Sequence, residues 1–486
     1  MSKKYPKGLV FLFLTEMWER FSYYGISAIL ILYLTTGLEI TDKEAALASG
    51  TYIAFTFMTP ILGGFVADRV LGLRRSVTLG GIFILLGNLL LAMGGGVVYV
   101  FSGLALVAIG TGYLKSTVSV MVGKLYKDGD THRDSGYTLF YMGINVGALL
   151  AGLIVTYVAE KYGWTQGFYL SAIGMFAGLI IFQFGYKYYN NAADGFQRKN
   201  LFKRPLILTN LTWTIIGTIA VFAAMVYLFQ HSGQTKVVIT YLSMIIVAGI
   251  SVLALTCKDK KERDSIFAIL IIILAAICFQ ALFKQMNNSL TLFVDRDFNK
   301  SLFGADMASS FFALVPNALS VVVFASGFTW LWAKLADKNR NPSIPSKIVI
   351  ALCFAITSSS LLAWVASGIA ETGVKASAWW VILAIAILTL GELNILPMGL
   401  SAVSALAPKR YSALLMGSWF LCSSVGGYFS GFLTSLAEIP KDKVQDVVYT
   451  SNVYYGLYWK CALALVAVAI IMLLLTPFVK KLMAQK

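Results

Sequence analysis

Long apolar runs separated by short polar loops recur along the whole chain. Each run is long enough to cross the roughly 30 Å of hydrocarbon in a bilayer. The pattern therefore predicts an all-α polytopic membrane protein with about fourteen transmembrane helices. The predicted spans fall near residues 8–34, 46–67, 77–96, 98–122, 136–159, 166–187, 206–229, 236–257, 265–294, 306–335, 347–369, 376–406, 411–436 and 451–479.

The first span carries a polar stripe within its apolar sequence. The stripe consists of Glu16, Glu19, Arg20, Tyr23, Tyr24 and Ser27. These side chains follow the three-and-four spacing of one helix face and fall within an arc of roughly 140°. A charge that faces lipid costs several kcal/mol, so we expect this face to turn towards the protein interior or a hydrated cavity. A buried structural ion pair is the simpler alternative, although Arg20 alone does not require two acids.

Composition supports a membrane protein and argues against nucleic-acid binding. Hydrophobic residues make up 58% of the chain and charged residues 13%, which is too apolar for a soluble globule. The net charge of +16 comes from Lys and Arg in short loops between apolar runs, not from a folded basic surface. The lipid bilayer is thus an expected partner, and nucleic acid is not. The five dispersed cysteines form no CxxC pattern, so neither a metal site nor a disulfide is predicted.

Basic loops alternate with mixed or acidic loops along the chain. Lys and Arg concentrate at both termini and in every second loop, as in 69–75, whereas opposite loops such as 39–44 are mixed or acidic. By the positive-inside rule, the basic side with both termini is cytoplasmic. The N-terminal residues lead directly into the first span without a cleavage site. We therefore expect a multi-pass protein of the cell membrane.

Two long basic stretches divide the chain into three parts. Two spans lie within 188–263, and six spans lie on each side, in 1–187 and 264–486. A weak acidic-basic repeat occurs two spans into each half, after the second span and at 334–340. This arrangement predicts the major facilitator fold, with two six-helix bundles and an inserted two-helix hairpin. The first copy of the repeat supplies a candidate gating motif with Asp68, Arg69, Arg74 and Arg75.

Three more charges lie within later spans. They are Lys115 in the fourth, Lys284 in the ninth and Glu392 in the twelfth. With the three charges of the first span they sum to zero, so the charges can pair with one another and re-pair around a ligand. Simpler roles stay open, because either lysine could snorkel and Glu392 could satisfy backbone groups freed by Pro397.

Polar uncharged residues accompany these charges. The ninth span continues its polar helical face through Gln280, either Asn287 or Asn288, and Thr291. Asn145 and Asn317 lie on the fifth and tenth spans. Either of the last two could simply hold a helix pair together. Pro397 is expected to break or bend the twelfth span.

Neither histidine is available for proton transfer within the membrane. His132 and His231 both lie in predicted loops. If a proton gradient drives the protein, carboxylates must therefore carry the proton. Glu16, Glu19 and Glu392 are the candidates.

The first span resembles the ExxERFxYYG motif of the proton-dependent oligopeptide transporter family, within the major facilitator superfamily. The matching residues run from Glu16 to Gly25, and 140–147 resembles the family's second signature. Residues 391–392 and 416–420 resemble its late helices, and the two extra helices resemble those of bacterial members. The resemblance implies proton-coupled import of di- and tripeptides by alternating access. It implies a monomer that is not an enzyme, with the proton as coupling ion and no other cofactor.

The resemblance also implies roles for individual residues. The proton-coupling set is Glu16, Glu19, Arg20, Lys115 and Glu392. Glu392 and Asn317 would meet the amino end of the peptide, and basic groups would meet its carboxylate. The substrate-binding set, to which we add Lys284, is Tyr23, Tyr24, Lys115, Asn145, Lys284, Asn317, Glu392, Ser401 and Trp419.

The chain departs from the family pattern at the proposed binding site. Many bacterial members have an Arg where this chain has Ser27 and a Glu where it has Lys284. We hypothesise that the Lys284 ammonium replaces the missing Arg head group and anchors the substrate carboxylate. A binding-site Tyr of the family is Phe57 here.

We expect the acids of the first span and the basic groups of the fourth and ninth to share one hydrated chamber. Two alternatives remain. A carrier of the same fold could move another small polar or zwitterionic solute with altered proton coupling. An integral membrane enzyme is the other class, but the loops contain no HExxH or GxSxG motif and no His cluster.

Overall fold

The computed structural model describes residues 6–126, 133–193, 201–203, 208–338, 340–408 and 411–483. Its regular elements are almost all α-helices. Those of the first part of the chain are α1 (Lys7–Leu32), α2 (Asp42–Val66), α3 (Leu73–Ala92), α4 (Val97–Lys124), α5 (Arg133–Leu150), α6 (Thr156–Tyr162), α7 (Trp164–Ala193) and α8 (Asn210–Gln230). Single π-helical turns extend α1, α2 and α5 at Tyr33–Gly37, Ala67–Leu71 and Ala151–Val155.

The later helices include one that is interrupted within the membrane. They are α9 (Ser232–Thr256), α10 (Lys260–Phe283), α11 (Ser289–Asp297), α12 (Val315–Asp337), α13 (Ile344–Thr372), α14 (Trp379–Leu406), α15 (Ser412–Ser435) and α16 (Val447–Met483). Short 3₁₀ turns lie at Lys284–Asn287, Ser309–Ala313 and Lys441–Lys443. Two small strand pairs complete the description: β1 (Phe298–Asn299) with β4 (Ala376–Ser377), and β2 (Ser301–Leu302) with β3 (Ala305–Asp306).

The predicted all-α polytopic class is confirmed. Within the described residues, twelve helical spans are long and apolar enough to cross a membrane. Helices α1 and α15, with 26 and 24 residues, are also long enough, which agrees with about fourteen spans. His231 lies in the turn between α8 and α9, as predicted. The loop residues His132, Lys409 and Arg410 lie outside the described residues.

The helices group into two compact units. Unit 1 contains Met1–Leu38 and Phe55–Ser232, and unit 2 contains Glu39–Ala54 and Gly233–Lys486. The division runs through α2 and through the turn of the inserted hairpin. Helix α8 therefore belongs to unit 1 and α9 to unit 2.

Unit 1 is built around α1, which is buried on most of its faces. It packs against α5 and α7, while α3 packs against α4 and α7. A glycine permits the close approach of α5 to α1. A Cβ at Gly147 would lie 2.3 Å from the carbonyl oxygen of Met17, which is far inside van der Waals contact. The second family-like segment thus positions α5 directly against the backbone of the first span.

Unit 2 contains the interrupted ninth span. Helix α10 ends at Phe283, and α11 begins only after Asn288, whose backbone is not helical at φ −126° and ψ −104°. The prediction of one continuous helical face from Gln280 to Thr291 was therefore wrong. Helix α14, by contrast, continues through Pro397 from Trp379 to Leu406, so the proline does not break the helix.

A buried ion pair joins the start of α2 to the end of α11 within unit 2. Arg296 donates from Nη1 to Asp42 Oδ2 at 2.6 Å and from Nη2 to Asp42 Oδ1 at 2.7 Å. Its Nη1 also donates to the Tyr454 hydroxyl at 3.1 Å. Both charged side chains are 6% exposed. Because neither charge can be hydrated in place, removing one would leave the other buried without compensation.

We expect Asp42→Asn to destabilise the protein by about 3–5 kcal/mol, because it leaves the buried Arg296 guanidinium without an acidic partner. Thermal unfolding in detergent should show a clearly lower Tm. The matched control is Glu44→Gln, an exposed acid on the same first turn of α2, which should leave the Tm unchanged. The double variant Asp42→Asn with Arg296→Gln should recover part of the loss. An unchanged Tm in Asp42→Asn would show that the pair does not stabilise unit 2.

We expect Gly147→Ala to lower the Tm, because the new methyl group would meet the Met17 carbonyl and force α5 away from α1, at a cost of about 1–3 kcal/mol. Gly249→Ala on α9 is the control, since nothing lies within 4 Å of a Cβ there. That variant should match or slightly exceed the wild-type Tm, because Ala favours helix over Gly by about 1 kcal/mol. Equal Tm values for both variants would contradict the close α1–α5 packing.

Candidate functional site

The acidic stripe of α1 is buried in unit 1, as predicted. The side chains of Glu16, Glu19 and Arg20 are at most 2% exposed. Arg20 binds Glu19 through two contacts, Nε to Oε2 and Nη2 to Oε1, the latter at 2.6 Å. Glu16 Oε1 lies farther away, 3.5 Å from Arg20 Nε. Arg20 is therefore committed mainly to Glu19, and Glu16 is the acid less fully compensated.

Two residues of α4 extend this cluster. Thr111 Oγ1 donates to Glu19 Oε1 at 3.4 Å, and the Lys115 ammonium attracts the Glu16 carboxylate. Lys115 Nζ also lies 4.1 Å from the ring centroid of Phe57 on α2. The second oxygen of Glu16, Oε2, is buried and has no hydrogen-bond partner among the described residues. The four proposed coupling residues of unit 1 are thus brought together, and Thr111, which the motif did not point to, joins them.

The aromatic residues of the stripe lie beside this charge cluster. The guanidinium of Arg20 is 4.8 Å from the ring centroid of Tyr23. Tyr23 makes edge-to-face contacts with Tyr24 and Phe57, at centroid distances of 5.1 Å and 6.2 Å. Tyr23 is 3% exposed, whereas Tyr24 is only half-buried. Tyr24 is therefore the more accessible of the two for a ligand.

Asn145 lies on α5, beside the close approach at Gly147. It is half-buried, and its Nδ2 donates to the Tyr141 carbonyl four residues earlier at 3.3 Å. This bond belongs to the helix itself. One of the two N–H groups of the Asn145 amide is thus satisfied within α5 itself.

Glu392 on α14 is the acidic centre of unit 2. Asn317 Nδ2 on α12 donates to Glu392 Oε2 at 2.8 Å and to Thr389 Oγ1 at 2.9 Å. The amide therefore ties two adjacent turns of α14 to α12. Thr389 was not predicted, although its position three residues before Glu392 places it on the same helix face.

Lys284 lies where the ninth span loses its helical form. It is 9% exposed, its Nζ is 5.5 Å from the Phe283 ring centroid, and its charge attracts Glu392. The turn after it is held by side chains. Gln285 Nε2 donates to the Ser430 carbonyl at 3.1 Å, and Asn288 Nδ2 donates to Ser430 Oγ at 2.9 Å. Unit 2 thus has its own lysine and acid in electrostatic reach of each other.

Trp419 and Ser401 occupy different surroundings. Trp419 is 6% exposed and lies over Gly399 of α14, where a Cβ would be 2.0 Å from the indole. Ser401 is exposed on α14. At about 100° per residue, it lies on the opposite helix face from Glu392. Trp419 is thus buried by packing, and Ser401 is separated from the acidic centre.

The candidate gating motif lies around the turn between α2 and α3. Arg74 lies over the Tyr186 ring at 3.5 Å, and its Nη2 donates to Gln183 Oε1 at 3.2 Å. Arg69 lies 5.3 Å from the Phe65 ring centroid. Arg75 Nη1 donates to the Leu71 carbonyl at 3.5 Å, and Asp68 is exposed.

Comparisons with known proteins give the family and the fold of the chain. The family model described as the POT family matches residues 74–450, a range that begins after the acidic stripe of α1. The uncharacterized transporter YclF of Bacillus subtilis (strain 168) is 35% identical over 492 residues, which cover 99% of this chain and 95% of that protein. The peptide transporter YePEPT of Yersinia enterocolitica is 32% identical over 499 residues, with coverage of 99% and 95%.

Solved structures show the same fold. A variant of a peptide transporter POT in complex with alafosfalin has a TM-score of 0.85 at 32% identity, covering 98% of this chain and 96% of that chain. A POT family transporter in complex with 5-aminolevulinic acid has a TM-score of 0.82 at 28% identity, with coverage of 98% and 97%. The predicted major facilitator fold is confirmed.

The family model covers well over half of the chain, and the relatives at 35% and 32% identity match it almost from end to end. The chain therefore belongs to the POT family, the proton-dependent oligopeptide transporters.

Proposed function

We propose that the protein imports di- and tripeptides into the cell with protons, by alternating access. The observation that carries this proposal is the buried charge cluster of unit 1. It contains two carboxylates and only one closely paired guanidinium, with Lys115 in electrostatic reach. The four charges sum to zero, so protonation of one carboxyl group leaves one cation that a substrate carboxylate can compensate.

Glu16 is the carboxyl group that we assign to the coupling proton. Arg20 makes two close contacts with Glu19 but only one longer contact with Glu16. Glu16 Oε2 also lacks a hydrogen-bond partner among the described residues. Protonation of Glu16 would release Lys115 from its attraction and make the ammonium available to a substrate carboxylate. Glu19 would then remain the fixed partner that keeps Arg20 in place.

The substrate amino group is proposed to bind Glu392. Asn317 and Thr389 orient this carboxylate, and the positive charge of Lys284 compensates it in the absence of substrate. A bound peptide ammonium would then balance the negative charge of Glu392 in place of Lys284. Lys284 would then be free to anchor a carboxylate, as the Ser27 and Lys284 departures suggested. Tyr24 and Asn145 are the half-buried members of the proposed binding set, and Trp419 contributes a wall.

We further propose that the protein lies in the cell membrane as a monomer with both termini in the cytoplasm. The basic loops on one side support this orientation through the positive-inside rule. The six-helix segments 1–187 and 264–486 would be the moving halves. One proton carried with a zwitterionic peptide moves one net charge inward, so the membrane potential adds to the pH gradient as a driving force.

A second candidate is a carrier for another small zwitterion. A family member that is 28% identical has been solved in complex with 5-aminolevulinic acid, which carries an amino and a carboxyl group like a peptide but has no peptide bond. Lys284 and Glu392 could bind the two ends of such a solute. Competition by 5-aminolevulinic acid against labelled dialanine, compared with tripeptide competition, would separate the candidates.

We expect Glu16→Gln and Lys115→Ala to abolish concentrative uptake of dialanine into proteoliposomes. With a potential of about 100 mV, one charge per cycle can drive roughly 50-fold accumulation. The accumulation ratio of both variants should fall towards one. Exchange of labelled for unlabelled dialanine should persist in Glu16→Gln, because exchange needs no net proton movement, and should weaken in Lys115→Ala, which also removes the proposed partner of the substrate carboxylate.

The controls are Glu438→Gln and Lys443→Ala, which remove exposed charges of the same types. Both should accumulate dialanine like the wild type. Wild-type accumulation ratios in Glu16→Gln or Lys115→Ala would remove that residue from proton coupling. Failure of the wild-type protein to accumulate any peptide in response to acid outside would refute the proposed function itself.

A further inference from the structure

One buried cation outside the proposed transport site lacks an acidic partner. Among the described residues, four cationic residues are buried: Arg20, Lys284, Arg296 and Lys347. Arg20 pairs with Glu19, Arg296 with Asp42, and the charge of Lys284 acts on Glu392. Lys347 is 4% exposed, yet no carboxylate of the described chain lies within ion-pair distance of it.

The groups around the Lys347 ammonium cannot neutralise its charge. Its Nζ lies 4.5 Å from the Trp332 ring centroid on α12 and 3.9 Å from Met398 Sδ on α14. A cation–π contact is much weaker than an ion pair, and a thioether sulfur is a weak acceptor. Removing an ammonium from water is costly even after local relaxation. The two contacts therefore offset only part of this cost.

The other unsatisfied group at this place is also a donor. Trp332 Nε1 is buried and has no hydrogen-bond acceptor among the described residues. Lys347 itself belongs to the first turn of α13, where Ser343 caps the helix and the backbone dipole is positive. A cation, an indole N–H and a helix N-terminus share a need for negative charge. These three features together favour the binding of an anion.

The location favours a phosphate group carried by a lipid. Trp330 and Trp332 lie within the last two turns of α12. Trp330 is exposed, and the Nζ of the exposed Lys334 lies 4.6 Å from its ring centroid. Tryptophan and lysine in this arrangement are typical of a helix end at the lipid headgroup level. The surrounding loop is one of the basic loops, and anionic lipids are attracted to such positions. Met398 is unbranched and flexible, so its side chain can move to admit an oxyanion.

We propose that Lys347, Trp332 and the start of α13 form a binding site for a phosphate oxyanion, supplied by the headgroup of an anionic membrane lipid. The phosphate would replace the Met398 sulfur as partner of Lys347 and accept from Trp332 Nε1. The site lies in unit 2 and does not include any residue assigned to transport. Its occupant would stabilise the protein rather than take part in the transport cycle.

The test compares thermal unfolding of the delipidated full-length protein with and without added anions. Phosphatidylglycerol should raise the wild-type Tm by about 2 °C or more, and phosphatidylcholine should not. Lys347→Met should start from a higher Tm than the wild type without lipid, because the uncompensated charge is gone. The same variant should lose the response to phosphatidylglycerol. Lys334→Met, which removes an exposed lysine in the last turn of α12, should respond like the wild type.

Further arms identify the source of the phosphate. In one such arm, inorganic phosphate alone would raise the Tm of the wild type and not that of Lys347→Met. This result would support the anion site but would identify its ligand as soluble phosphate. Lys347→Arg should retain the lipid response, because it retains the charge. Native mass spectrometry should show bound phosphatidylglycerol on the wild type and Lys334→Met and less on Lys347→Met. A Lys347→Met protein that has a lower Tm than the wild type and responds equally to phosphatidylglycerol would overturn the proposal.

Discussion

Charge inside a membrane-spanning helix has to be compensated by the protein, because hydrocarbon offers neither water nor counterions. Unit 1 meets this constraint with an arginine placed one residue after one acid and four residues after another. Arg20 satisfies Glu19 closely and Glu16 only in part. The incomplete compensation of Glu16 makes the cluster responsive, since a proton, a lysine or a substrate carboxylate can change its balance. A fully matched ion pair would be more stable and could not respond in this way.

Unit 2 solves the same problem by interrupting a helix. The ninth span changes from an α-helix to a 3₁₀ turn directly after Phe283, where Lys284 and Glu392 act on each other. The freed segment is stabilised by side-chain bonds to α15, through Gln285 and Asn288. Backbone that leaves the helix within a membrane is tolerated where protein or a cavity covers it.

The sequence predicted the parts of this arrangement that depend on local periodicity. Hydrophobic run lengths predicted the spans, and the three-and-four spacing placed Glu16, Glu19 and Arg20 on one face of α1. The interruption at Lys284 was missed because the segment contains no Pro or Gly, and the side chains that hold it bind residues about 145 positions away. The Asp42–Arg296 pair spans 254 residues and was missed for the same reason. Pro397 is the opposite case. Its local preference predicted a break or bend, but α14 continues through it as one helix.

The central claim is that the peptide ammonium binds Glu392 and replaces Lys284 in compensating its charge. Binding measurements with peptides whose amino group is blocked test this claim most directly. Calorimetry should compare dialanine with N-acetyl-dialanine on the wild type and on Glu392→Gln. A charge-assisted contact is worth about 1.5–3 kcal/mol, so acetylation should weaken binding to the wild type by about tenfold or more. It should change little in Glu392→Gln, where the acid is already gone. An equal loss in both proteins would contradict the claim, because the peptide ammonium would then bind elsewhere.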